Sequence, residues 1–89
     1  MKVKLLKHLK DQAEERGISI KYIKETLSTP EQIVPEIKGL KIAQKRYSID
    51  NKQYLIRVIF REEKDLIIGI TVYKTSKIKK YWGENENKI

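Results

Sequence analysis

The chain contains no cysteine, one histidine and four glycines in 89 residues. Without cysteine there is no disulfide framework and no thiolate zinc site. A single histidine among scattered acids leaves none of the usual metal-ligand spacings. The sequence also has no glycine-rich loop to cradle phosphate and no serine nucleophile elbow, so ordinary hydrolase and cofactor chemistry is not expected. No metal and no cofactor is assigned. Long hydrophobic runs are missing too. The longest, residues 66–73 (LIIGITVY), is far too short to span a bilayer. The N-terminal stretch MKVKLLKHLKDQ is charged too often for a signal peptide. A cytoplasmic protein with no membrane partner is expected.

What the chain does have is positive charge. Lys and Arg number 20 against 12 Asp and Glu, a formal net charge of +8. Such a balance favours a nucleic acid, an anionic membrane or an acidic protein as partner. The length suits one domain over residues 1–89, with a modest core that buries roughly 60–65% of the unfolded chain's surface. The charge is clustered. Residues 38, 41, 45, 46, 52, 57 and 61 are basic, and the segment they span holds one acid, Asp50; residues 74–82 hold four lysines and no acid. Tyr47, Tyr73, Tyr81 and Trp82 are interleaved with these cations, a mixture suited to RNA, where charge meets phosphate and rings stack on bases. Tyr81 and Trp82 have an equally simple role open to them, covering the edge of the core.

The periodicity predicts two helices and then strands. Leu5, Leu9 and Ala13 fall on one helical stripe and Gly17 supplies a left-handed stop. Ser19 is a natural N-cap for a second helix carrying Ile20, Ile23 and Leu27, which Thr29-Pro30 ends. Residues 2–7 read as a short strand or an early helical turn. Beyond Pro30 the period becomes 2. Residues 32–38 predict a weak strand that Pro35 confines to an edge, followed by strands at 41–49, 53–61 and 66–73, with turns at 50–52 and 62–65. Residues 74–82 form a basic tail, and 83–89 are expected to fray. The expected architecture is α+β: an N-terminal helical hairpin packed on an antiparallel sheet of three to four strands.

Strand alternation places Tyr54, Ile56, Val58 and Phe60 on the core face, with Leu66, Ile68, Ile70 and Val72. Arg57 and Arg61 face the other way, with Gly69, Thr71 and Tyr73. A two-residue turn at Asn51-Lys52 would set Arg46 directly opposite Arg57, and Arg57 opposite Thr71. Opposed arginines repel by up to about 1 kcal/mol, so a phosphate or a partner's carboxylate is expected between them. Gly69 would let a ligand approach. RNA cleavage asks little of a protein here: the 2′-hydroxyl attacks its own phosphate, while the protein orients groups, stabilises charge and moves protons. Arginine supplies the charge, and lysine, tyrosine or histidine the proton transfer. His8 reads either as such a group or as a helix-to-sheet hydrogen-bonding residue.

His8, Glu15-Arg16-Gly17-Ile18-Ser19, Leu27-Ser28-Thr29-Pro30, Arg57-Val58-Ile59, residues 71–77 (TVYKTSK) and Lys80-Tyr81-Trp82 together resemble a family of small prokaryotic domains grouped with the RelE/ParE toxin superfamily. The resemblance implies a helical hairpin on a curved sheet and a toxin encoded beside a small acidic antitoxin protein. Superfamily relatives include messenger-RNA endonucleases that act on ribosomes and others that poison DNA gyrase. His8, Arg16, Arg57, Tyr73 and Lys77 match family positions, whereas Gln12 and Leu9 depart from them. The functional expectation is therefore an endoribonuclease toxin with Arg57, Arg46, Lys77, Tyr73 and His8 as its catalytic candidates. Arg61, Lys45, Lys74, Lys79, Lys80 and Tyr81 are the nucleic-acid-binding candidates. The alternatives are a non-catalytic basic module that binds an acidic partner or nucleic acid, or a gyrase poison.

Overall fold

A computed structural model of the chain describes residues 2–35 and 37–86. Of the stretch expected to fray, 87–89 lie outside the described residues, as does residue 36 of the expected strand 32–38. The chain opens with a strand, β1 (Lys2–Leu5), which settles the ambiguity at residues 2–7. Helices α1 (Lys7–Arg16) and α2 (Ile20–Ser28) follow. Next come β2 (Gln32–Pro35), a 3-10 turn at Ile37–Gly39, and the three long strands β3 (Lys41–Ile49), β4 (Lys52–Glu63) and β5 (Leu66–Thr75). Helix α3 (Ile78–Glu86) closes the described chain.

The expected fold class needs correction. The sheet has five strands in the order β1-β5-β4-β3-β2. It is mixed, because β1 runs parallel to β5 while all other neighbours are antiparallel. The first two helices sit between strands rather than opening the chain, and a third helix replaces the expected basic tail. A four-residue parallel strand has no local signal of its own and forms only against a partner.

The helix boundaries follow their punctuation. Gly17 takes φ 65°, and its N–H reaches back to the carbonyls of Ala13 and Glu14. Ser19 caps α2 by accepting the Lys21 N–H at 3.2 Å. The two helices bury Leu9, Ala13, Ile23 and Leu27 against Ala43, Ile56, Val58, Phe60, Ile67 and Val72 of the sheet.

The strand registers differ from the expected ones at two places. The β3–β4 turn is Asp50-Asn51, both with positive φ (52° and 63°), as a two-residue hairpin turn requires. This one-residue shift pairs Tyr47 with Tyr54, Arg46 with Leu55 and Gln44 with Arg57. The β4–β5 connection is also a two-residue turn, at Lys64-Asp65, instead of a loop over 62–65. A bulge then leaves Ile70 unpaired, between Gly69 (opposite Phe60) and Thr71 (opposite Ile59). A bulge reverses the alternation downstream of it. Ile67 and Gly69 therefore share the helix side with Val72, while Leu66 and Ile68 share the Arg61 side, contrary to the uniform alternation expected for 66–73. An added Cβ at Gly69 would lie 2.9 Å from Leu5 Cδ2 and 3.0 Å from Leu9 Cδ1. The missing side chain makes room for the leucines of the core, not for a ligand.

β1 pairs with β5 only as far as Gly69, and α1 completes the remaining edge. The Gln12 side-chain carbonyl accepts the Val72 N–H at 3.2 Å and also the Thr71 hydroxyl. Arg16 Nη1 donates to the Val72 carbonyl at 2.8 Å. Two side chains one helical turn apart thus satisfy the backbone groups that a sheet edge would leave open.

Candidate nucleic-acid interface

On the sheet face away from α1 and α2, β4 presents Arg57, which is 7% exposed. Its Nε donates to Gln44 Oε1 at 2.9 Å and its Nη1 donates to the Tyr73 hydroxyl. Gln44, fully buried, passes the chain on to Gln32 Oε1 at 2.5 Å. Helix α3 lies over this network. The Tyr81 ring centroid is 4.1 Å from the Arg57 guanidinium carbon and 6.3 Å from the Tyr73 ring, edge to face. Arg57 is thus held on one side by a glutamine and roofed by tyrosines, an arrangement that desolvates the cation while satisfying its fork.

Arg46 is on the same face but diagonal to Arg57, since its direct partner is Leu55. The expected arginine pair is replaced by two separately solved cations. Glu31 clasps Arg46: Oε1 accepts its backbone N–H at 2.8 Å and its Nε at 3.2 Å, and Oε2 accepts Nη2 at 3.2 Å. The Trp82 ring covers its other side at 4.3 Å. Side-chain and backbone hydrogen bonds from Arg46 hold the Glu31 carboxyl below its usual pKa. A carboxylate depressed in the folded state stabilises the fold above its unfolded pKa, and that contribution is lost as pH falls through the lower folded value. The side chains are 35% and 48% exposed, so solvent limits the effect to about 1 kcal/mol or less. Urea midpoints measured from pH 7 down to 3 should show this acid-side loss, and Glu31→Gln should remove it.

The other candidates disperse. His8 is exposed on α1, the helix layer on the opposite side of the sheet from α3, and does not join the arginines. Arg61 is at the far end of β4, bonded to Glu63 at 3.2 Å. Lys45 lies on the helix side and donates to the Thr29 hydroxyl at 2.8 Å. Lys77, Lys79 and Lys80 are exposed at the start of α3. Beside them a shallow groove is lined by Arg46, Lys77, Lys79 and Lys80 together with Gln53 and Ser76. Lys74 is half-buried, with its ammonium 4.8 Å from the centre of the Tyr54 ring; Lys52 approaches the same ring at 5.6 Å.

Lys52, Tyr54, Glu31 and Gln44 are the contributors that the sequence reading did not single out. Tyr54 shares the helix side with Ile56 and Val58, as the alternation expects, but is only half-buried. Its cross-strand neighbour Tyr47 is the tyrosine that packs inward, stacked on Tyr22 with centroids 4.4 Å apart. The Tyr47 hydroxyl is within hydrogen-bonding distance of the Tyr22 carbonyl and of Glu25. Burial raises its pKa above the usual value, opposed by the Thr26 hydroxyl and assisted by Glu25.

At the end carrying the 62–65 turn, cations meet acids, as in Lys41–Glu62 at 2.8 Å and Arg61–Glu63 at 3.2 Å. At the Asp50-Asn51 end, Lys52, Lys74, Lys77, Lys79 and Lys80 form no ion pair among the described residues. No group of acids and histidine among the described residues is arranged to hold a metal ion, and no helix there is long and apolar enough to cross a membrane. No protein-family model, curated protein or solved structure matches the chain.

Proposed function

We propose that the chain is a nucleic-acid-binding module that holds a phosphate backbone at the Asp50-Asn51 end of its sheet, without cleaving it. The observation that carries this reading is the gathering of five lysines near the Asp50-Asn51 turn that form no ion pair among the described residues, three of them lining one groove with Arg46. Lysines so placed repel one another, and a polyanion relieves that repulsion while releasing its own counterions. Cleavage finds less support. A catalytic arginine must reach a phosphate, and Arg57 is buried with its donors directed to Gln44 and Tyr73. The convergence of Arg57 with Tyr73 and Tyr81 is what favours the second reading, a ribonuclease toxin of the kind the resemblance implies. That reading requires α3 to leave the face it covers.

The test is a fluorescence-anisotropy titration with a labelled RNA oligonucleotide over a range of salt concentrations, followed by analysis of the RNA for new ends. The expected outcome is intact RNA and affinity that falls with salt. Substituting Lys52, Lys74, Lys77 and Lys80 by alanine together should reduce the salt slope by about 1 per lysine that contacts phosphate. Salt-independent or absent binding would overturn the proposal. New RNA ends, or growth arrest with cleaved messages on induced expression, would replace it with the ribonuclease reading.

A further inference from the structure

We infer that the nucleic acid bound by this module is single-stranded and that Tyr54 stacks on one of its bases. The inference rests on the proposed function and deepens it. Four of the five tyrosines are committed to internal packing: Tyr22 and Tyr47 stack on each other, Tyr73 accepts from Arg57, and Tyr81 roofs Arg57. Tyr54 differs. It is half-buried on β4 three residues after Asn51, its hydroxyl has no hydrogen bond among the described residues, and its ring is approached by the ammonium groups of Lys52 and Lys74.

The position follows from chain geometry. Helices α1 and α2 have ten and nine residues at a rise of about 1.5 Å each, whereas β4 has twelve at a strand's longer rise of about 3.3 Å. The helices bury Ile56 and Val58 fully, and α2 reaches Tyr47 through Tyr22, leaving the cross-strand partner Tyr54 half-buried. What is left there is an aromatic ring on a rigid strand, beside Tyr47 and near two cations, Lys52 two residues before it and Lys74 opposite Ile56. A strand-borne ring is the usual platform for an unstacked base, and flanking cations track the phosphates on either side. Bases inside a duplex offer no face to such a ring, which is why the arrangement selects single strands.

The experiment measures affinity for a single-stranded RNA and for a blunt RNA duplex of the same sequence, for the unmodified chain and for Tyr54→Ala, Tyr54→Phe and Tyr54→Leu. Thermal melting confirms that each variant is folded; Tyr54→Leu retains apolar bulk where alanine disturbs the sheet. Stacking predicts that alanine weakens single-strand binding by roughly 5- to 100-fold, that phenylalanine retains it and leucine does not, and that the salt slope and duplex binding are unchanged. Equal binding by folded Tyr54→Leu or Tyr54→Ala, or an equal loss on duplex and single strand, would overturn the inference while leaving backbone binding intact. If the unmodified chain shows no salt-dependent binding, both the inference and the proposed function fall.

Discussion

Arg57→Ala is expected to lower the melting temperature by roughly 10–20 °C, from a loss of about 3 kcal/mol. A buried and a part-buried hydrogen bond from a charged donor disappear, and Gln44 Oε1 loses its cationic partner in a fully buried site. The Tyr81 ring loses the guanidinium it packs on at 4.1 Å, so α3 loosens together with the strand. The residual void adds to the cost, because truncated core positions relax only partly. Arg57→Lys retains the charge but cannot present a planar fork to Gln44 and Tyr73 at once, so it should recover little. Urea unfolding checks this directly. A melting temperature within about 2 °C of the unmodified chain's would mean that Arg57 is solvated and available to a ligand, and would move the functional reading toward phosphate clamping. If the expected loss occurs, any functional defect of Arg57→Ala must be compared at a temperature where the variant is folded.

That distinction shows how far the sequence could be read and where it stopped. Gly17, Ser19 and Thr29-Pro30 mark the ends of α1 and α2 because capping chemistry is local. The strands at 41–49 and 53–61 are visible as alternation. Their register is not, since Asp50, Asn51 and Lys52 all suit a turn and the shift of one residue decides whether Arg57 faces Arg46 or Gln44. In LIIGITVY both faces are apolar, so periodicity cannot reveal the bulge at Ile70 that moves Ile67 and Gly69 to the helix side. β1 is four residues whose conformation depends on β5. α3 begins with Ile78, Lys79 and Lys80 just after Lys77, with cations at the end of a helix where the dipole disfavours them, and its aromatic packing on Arg46 and Arg57 is a tertiary effect. The site was legible as a charge imbalance, which composition carries. Its internal ion pair was not, because Glu31, just before β2, reaches Arg46 on the neighbouring strand β3, fifteen residues on.

The most direct test of the helix–sheet packing is a pair of substitutions that should partly cancel. Leu9 is fully buried, and Leu9→Ala is expected to cost about 2–5 kcal/mol through lost transfer energy and a residual cavity. Gly69→Ala errs in the opposite direction: its methyl would meet Leu5 Cδ2 at 2.9 Å and Leu9 Cδ1 at 3.0 Å, with Leu27 Cδ1 at 3.4 Å. Such overpacking costs about 1–3 kcal/mol. In the double variant the alanine methyl enters space that Leu9 has vacated, so the combined loss should fall short of the sum by about 1 kcal/mol. Urea midpoints of the four proteins measure the coupling, and strict additivity would mean that Leu9 does not touch Gly69. RNA binding by folded Gly69→Ala should be unchanged, because the missing Cβ faces the leucines between sheet and helices. A selective loss of binding would instead place Gly69 at the ligand, the role its position in an exposed-looking alternation suggests and its packing denies.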